Sequence, residues 1–107
     1  MKDKIARGIR LDNGQIIIGE LNRNIIFSKV ECAIDGVPVD PIRIDYWTRR
    51  YDKNEQMIFS GDYVLLEGEV YLISYLEKGN NFMMGRLDFA FYHKNKINLD
   101  DIEIIDK

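Results

Sequence analysis

Trp47–Leu76 reads WTRRYDKNEQMIFSGDYVLLEGEVYLISYL, and its punctuation decides the fold. Tyr51-Asp52-Lys53-Asn54-Glu55 is a polar turn cluster. Met57-Ile58-Phe59 then leads into Ser60-Gly61-Asp62, where glycine can take a positive φ and aspartate can accept hydrogen bonds from nearby backbone amides. Tyr63-Val64-Leu65-Leu66 and Val70–Leu76 are rich in aromatic and β-branched residues, and Glu67-Gly68-Glu69 between them reads as a tight turn. The expected result is an antiparallel hairpin entered through a glycine-aspartate corner. Hairpins of this size close small SH3-like barrels, which removes exposed sheet edges.

Outside this stretch the same grammar continues. On the N-terminal side, Ile5–Leu11 alternates in part, Asn13-Gly14 favours a type I′ turn, and Ile16–Leu21 returns as a strand in which Gly19 marks a bulge or a close backbone approach. Asn22-Arg23-Asn24 is expected to break the pattern. Ile25–Phe27 and Val30–Ile34 are read as strand in preference to helix, although periodicity does not separate the two over so few residues. Asp35-Gly36 is a second hairpin dipeptide, Pro38 confines Val37–Val39 to an edge, and Ile42, Ile44 and Tyr46 alternate with Arg43, Asp45 and Trp47.

On the C-terminal side, Phe82–His93 carries the period-2 pattern of one half-buried strand, with Leu87, Phe89 and Phe91 as core residues. Leu99–Asp101 fits a single helical turn capped by Asn98, and Ile102–Ile104 a closing strand. The chain is thus expected to be all-β and mainly antiparallel. It reads as one domain, residues 1–107, in which N-terminal hairpins over 1–46 are added to a small SH3-like barrel over 47–107.

The run Trp47–Val64 resembles the core motif of the YopX family of phage and prophage proteins, roughly YTGLKDKNGKEIYEGDIV. Thr48, Asp52, Lys53, Asn54, Ile58, Gly61, Asp62 and Val64 match, with aromatic replacements at Trp47 and Phe59. Glu55 stands where the family has glycine and Ser60 where it has glutamate. The family's C-terminal tail, resembling IGNIYENPEL, is absent beyond Asp101–Ile105. The resemblance implies an SH3-like β domain and a mobile-element source. It brings no active site, because the motif is made of turn and strand chemistry.

At 107 residues the chain can bury a core without cross-links or metals, and its 46% hydrophobic and 31% charged content is that of a globular domain. A single cysteine, Cys32, cannot form an internal disulfide, and no long apolar run is present, so a cytoplasmic, membrane-free protein is expected. The net charge of −3 disfavours a dedicated duplex-DNA binder. Charge is uneven, with 10 Lys+Arg against 8 Asp+Glu in residues 1–54 and 5 against 10 in residues 55–107.

Catalytic equipment is thin. His93 and Cys32 are the lone members of their types, and Asp100, Asp101, Glu103 and Asp106 lack the spaced, glycine-containing loop of a calcium site. No phosphate loop, nucleophile elbow or zinc helix occurs, so no enzyme activity, metal or cofactor is expected. The remaining lead is surface binding. Trp47, Arg49, Arg50 and Tyr51 combine the side chains most enriched at interface hot spots with placement beside a turn. An acidic surface of Glu67, Glu69 and Glu77 is the rival.

Two functions fit these residues. One is a non-enzymatic phage or mobile-element protein that binds a host protein or ribonucleoprotein, for instance to inhibit a defence system such as a CRISPR nuclease. The other is an SH3-like module in which Arg43, Arg49, Arg50 and neighbouring aromatics contact single-stranded nucleic acid.

Overall fold

The computed structural model describes residues 4–76, 81–89, 92 and 99–105. Residues Met1–Trp47 and Thr48–Lys107 form two compact units. Among the described residues strand makes up nearly all the regular structure, and its strands pair antiparallel, as the alternation and turn residues predict. The sheets are open, and a closed SH3-like barrel is not among their features.

In the first unit, β1 (Ile5–Ile9), β2 (Ile16–Ile26), β3 (Lys29–Ile34) and β4 (Val37–Val39) follow one another in the sheet, and β5 (Asp45–Tyr51) joins β1 from the other side through Asp45 and Tyr46. β4 also bends back to meet the end of β1, where Arg10 bridges Val39 and the Leu11 amide donates to the Pro38 carbonyl at 3.1 Å. Ala6, Cys32, Ile34 and Val39 form the core of this unit, flanked by Ile17, Leu21 and Ile44. Pro38 lies where its missing N–H costs least, on the last strand of the order.

The register corrects four sequence readings in this unit. Asn22-Arg23-Asn24 does not break the strand: β2 runs eleven residues through it because Asn22, Arg23 and Asn24 pair with Ala33, Cys32 and Glu31 of β3. Arg23 is also held by its own hydrogen bond to the Tyr46 hydroxyl. The chain reverses at Phe27-Ser28, both in the left-handed region (φ 51° and 64°), a two-residue turn without the usual Asn or Gly. Asn13-Gly14 does lie in a hairpin, but not as a type I′ pair. Only Gly14 has a positive φ, and Arg10 and Gln15 close a four-residue loop in which Asn13 Oδ1 accepts the Gln15 amide. Finally, Ile42 lies outside the strand and is exposed, because Asp40 folds residues 40–43 into a turn by accepting the Ile42 and Arg43 amides. Asp35-Gly36 is the expected tight turn, and Gly19 is a close approach, since a Cβ there would meet the Asp35 carboxylate.

In the second unit, β6 (Met57–Phe59) neighbours β5, and β7 (Tyr63–Leu66), β8 (Glu69–Leu76), β9 (Asn81–Met84), β10 (Leu87–Asp88) and β11 (Glu103–Ile105) form a sheet of order β10-β9-β8-β7-β11. A 3₁₀ turn, η1 (Leu99–Asp101), precedes β11, matching the expected helical turn and closing strand; Asn98 lies outside the described residues. The turn joining β7 to β8 is two residues long, Glu67-Gly68, because Leu66 already pairs with Glu69. Ile58, Val64, Leu66, Ile73, Met84, Phe89, Tyr92, Leu99 and Ile102 form the core.

In place of the single strand expected over Phe82–His93, residues 81–88 form a short hairpin, and Phe89 and Tyr92 have helical backbone. Gly85-Arg86 turns the chain, and Leu87 pairs back onto Met84. Phe89 is buried as expected, while Phe91 and His93 lie outside the described residues. Tyr92 is a core residue whose hydroxyl donates to the Met84 carbonyl at 2.9 Å, giving its polar tip a partner inside the core.

The glycine-aspartate corner forms as read. Gly61 has φ 92°, its amide donates to the Ile73 carbonyl at 2.7 Å, and Asp62 Oδ2 accepts the Phe59 amide at 2.8 Å. A β-branched residue cannot take that φ without strain, so Gly61→Val is expected to lower stability by about 1 kcal/mol or more. Urea unfolding of the purified variant measures it, through a lower midpoint at unchanged slope.

Candidate functional site

Of the four expected patch residues, Arg49, Arg50 and Tyr51 come together around one hollow of about 430 Å³ in the second unit, completed by Asp52, Lys53, Leu99 and Asp100. Trp47 is half-buried in β5 and does not line it.

Along β5 the burial alternates throughout, with Tyr46, Thr48 and Arg50 the more buried and Trp47, Arg49 and Tyr51 the less, and Arg49 has φ 67°. Thr48 anchors the strand. Its hydroxyl donates to the Ile58 carbonyl at 2.9 Å and accepts the Arg50 amide at 3.2 Å. Arg49 and Tyr51 are exposed, and the Arg50 guanidinium lies 5.2 Å from the centre of the buried Phe89 ring, a cation–π distance.

The floor of the hollow is held by Asp52, which is buried. Its Oδ1 accepts the Asn54 and Gln56 amides, both at 2.9 Å, and its Oδ2 accepts the Ile104 amide at 3.0 Å. The Lys53 amide donates to the Ile102 carbonyl at 2.8 Å, so turn 52–56 is clasped at two points, to Ile104 of β11 and to Ile102 just before it. Burial pulls the Asp52 carboxyl upward, but the amides of Gln56, Ile104 and Asn54, with help from the Lys53 charge, hold it below the usual carboxylate range. Asp52 therefore works inward on the fold although it borders the hollow.

Within the same turn, Glu55 has φ 64°. A residue with a Cβ is strained there. Glu55→Gly is expected to raise stability by about 0.5–1 kcal/mol, read as a higher denaturant midpoint.

Chemically, the hollow offers two arginines, a lysine and a phenol to an incoming group, against Asp100 and the already committed Asp52. Arg49 makes no ion pair or side-chain hydrogen bond among the described residues. Lys53 pairs with Glu103 at 3.2 Å, with both side chains well exposed, so that pair is weak and exchangeable. Such a surface suits carboxylate or phosphate, with Arg49 supplying a fork of donors and Tyr51 rigid contact area.

Lys53 and Asp100 escaped the sequence reading. Lys53 was visible in the polar turn cluster, whereas nothing in the local pattern brings Leu99-Asp100 to that turn.

Of the rival acidic surface, Glu67 and Glu69 are exposed on either side of Gly68 at the β7–β8 turn, and Glu77 lies outside the described residues. Among the described residues no group of three or more His, Cys, Asp or Glu side chains is placed to hold a metal, and no helix is long and apolar enough to cross a membrane. No protein-family model, curated protein or solved structure matches this chain.

Proposed function

We propose that the protein acts by binding and not by catalysis, that it comes from a phage or another mobile element, and that the Arg49–Arg50–Tyr51–Lys53 hollow is where it grips a host protein or ribonucleoprotein. Inhibition of a host defence system such as a CRISPR nuclease is one form of that function. The observation that carries the reading is the hollow itself, with an exposed arginine and an exposed tyrosine (53% accessible) beside a turn clasped by Asp52. Anchors on a rigid support lose little entropy on docking. The likeness of Trp47–Val64 to the YopX motif supports the mobile-element source.

Nucleic acid is the alternative ligand, because Arg49 and Lys53 also fit phosphate and Tyr51 also fits a base. The net charge of −3 weighs against it.

The test uses immobilised full-length protein and bacterial lysate, with and without nuclease digestion. The expected result is a partner retained by the wild type after digestion and lost by Arg49→Ala/Tyr51→Ala. Equal retention by both proteins rejects the hollow as the site. Retention that disappears on digestion favours the nucleic-acid reading.

A further inference from the structure

The larger sheet of the second unit is apolar on both faces. Tyr63-Val64-Leu65-Leu66 and Val70–Leu76 run almost without a polar residue, whereas an antiparallel strand with one wet face alternates apolar with polar. The register sorts these runs. Val64, Leu66, Ile73 and Met84 belong to the core, so the residues next to them along each strand make up the opposite face. On that face Tyr63 lies between Ile105 and Leu72, Leu65 between Glu103 and Val70, and Met83 between Ser74 and Asp88. Tyr63, Leu65, Val70, Leu72, Met83 and Ile105 are thus neighbours across four strands, and the chain leaves Val70 56% and Leu72 42% exposed. A contiguous exposed apolar patch of this kind marks an interaction site.

Charge at its edges narrows the partner. The cross-strand rows end in Glu103 on β11 and Asp88 on β10 and carry no basic side chain. Glu67 stands exposed at the turn just past the Leu65–Val70 pair. Glu103 is engaged by Lys53 only through an exposed pair that a competing cation can displace. Acid at both ends counts against a second copy, because either orientation sets carboxylate against carboxylate, and like charges across an interface cost affinity. The same edges complement lysine and arginine. In size the patch suits a single helix: β11, β7 and β8 span about 10 Å at about 4.8 Å per pairing, and a helix is about 10 Å wide.

We propose that this outer face docks an amphipathic helix of a partner protein, with the helix's apolar stripe on Leu65, Val70 and Leu72 and its basic flanks against Glu103 and Asp88.

Isothermal titration calorimetry of the full chain tests it with two synthetic helical peptides that share a leucine stripe, one flanked by lysines and the other by glutamates. The lysine peptide is expected to bind the wild type, and Val70→Thr/Leu72→Thr to bind it at least about 10-fold more weakly. Both replaced side chains are exposed and threonine keeps strand propensity, so the fold should survive; circular dichroism checks that. Asp88→Lys, on the edge strand, provides a second variant, expected to weaken binding and flatten its salt dependence. A lysine peptide that does not bind overturns the proposal, as does one that binds all three proteins equally or a glutamate peptide that binds as tightly. A wild-type dimer in sedimentation equilibrium that Val70→Thr/Leu72→Thr dissolves also overturns it, by assigning the face to a second copy.

Discussion

Replacing Asp52 by alanine is expected to cost about 3 kcal/mol or more of folding stability, because three backbone amides lose their acceptor at once and each orphaned donor costs about 1–3 kcal/mol. Those amides belong to Asn54, Gln56 and Ile104, so the loss loosens turn 52–56 and its clasp on β11 together. Water can reach part of the turn, which keeps the total below a simple sum. Asp52→Asn, retaining one acceptor oxygen, should fall between wild type and alanine.

The same carboxylate gives stability a pH dependence of definite sign. Its folded-state pKa lies below the unfolded value, so its contribution is fully present above the ordinary carboxylate range and is lost as pH falls through the lower folded value. Urea midpoints measured from neutral pH into acid should therefore drop for the wild type and drop less steeply for Asp52→Asn. An alanine variant as stable as the wild type would show that the clasp is decorative.

Removing Arg49 and Tyr51 together should abolish measurable partner binding while leaving the fold intact. Truncating a central anchor costs about 2 kcal/mol or more, roughly 30-fold in affinity, and two neighbouring anchors compound without adding strictly. Arg49 and Tyr51 are the right pair because both are exposed, whereas Arg50 lies over Phe89 and its loss would mix packing with binding. The control is charge reversal at Glu67 and Glu69 on the β7–β8 turn. If that acidic pair carried the contact instead, Glu67→Lys/Glu69→Lys would slow association and flatten its salt dependence, while the Arg49/Tyr51 variant would bind normally. Surface plasmon resonance at two salt concentrations, with thermal melts as a fold check, separates these outcomes.

Antiparallel strands were legible in the sequence because side-chain alternation and Asp-Gly or Glu-Gly turns are local signals, and Asp35-Gly36 and Glu67-Gly68 turned where they should. What escaped was decided by pairing. Asn22-Arg23-Asn24 looks like a break until β3 supplies its ladder, and Phe27-Ser28 has no turn composition, yet it must turn because the strands on either side are in register. Leu87, Phe89 and Phe91 alternate perfectly, but Gly85-Arg86 reverses the chain just before them and leaves a strand of two residues.

At the candidate site, Arg49, Arg50 and Tyr51 were readable from residue type and turn placement. The left-handed φ at Arg49 was not, because arginine does not advertise one.

Cys32 is the chain's only cysteine and sits in the core of the first unit. Its side chain is buried, so alkylation under native conditions speeds up as that unit opens, and its rate reports the ease of that opening. Because the second unit has no thiol to compete, the signal needs no engineered label. Alkylation of the Asp52→Ala protein then measures cooperativity directly: a faster rate means that weakening one half of the chain loosens the other, and an unchanged rate means that each half melts by its own schedule.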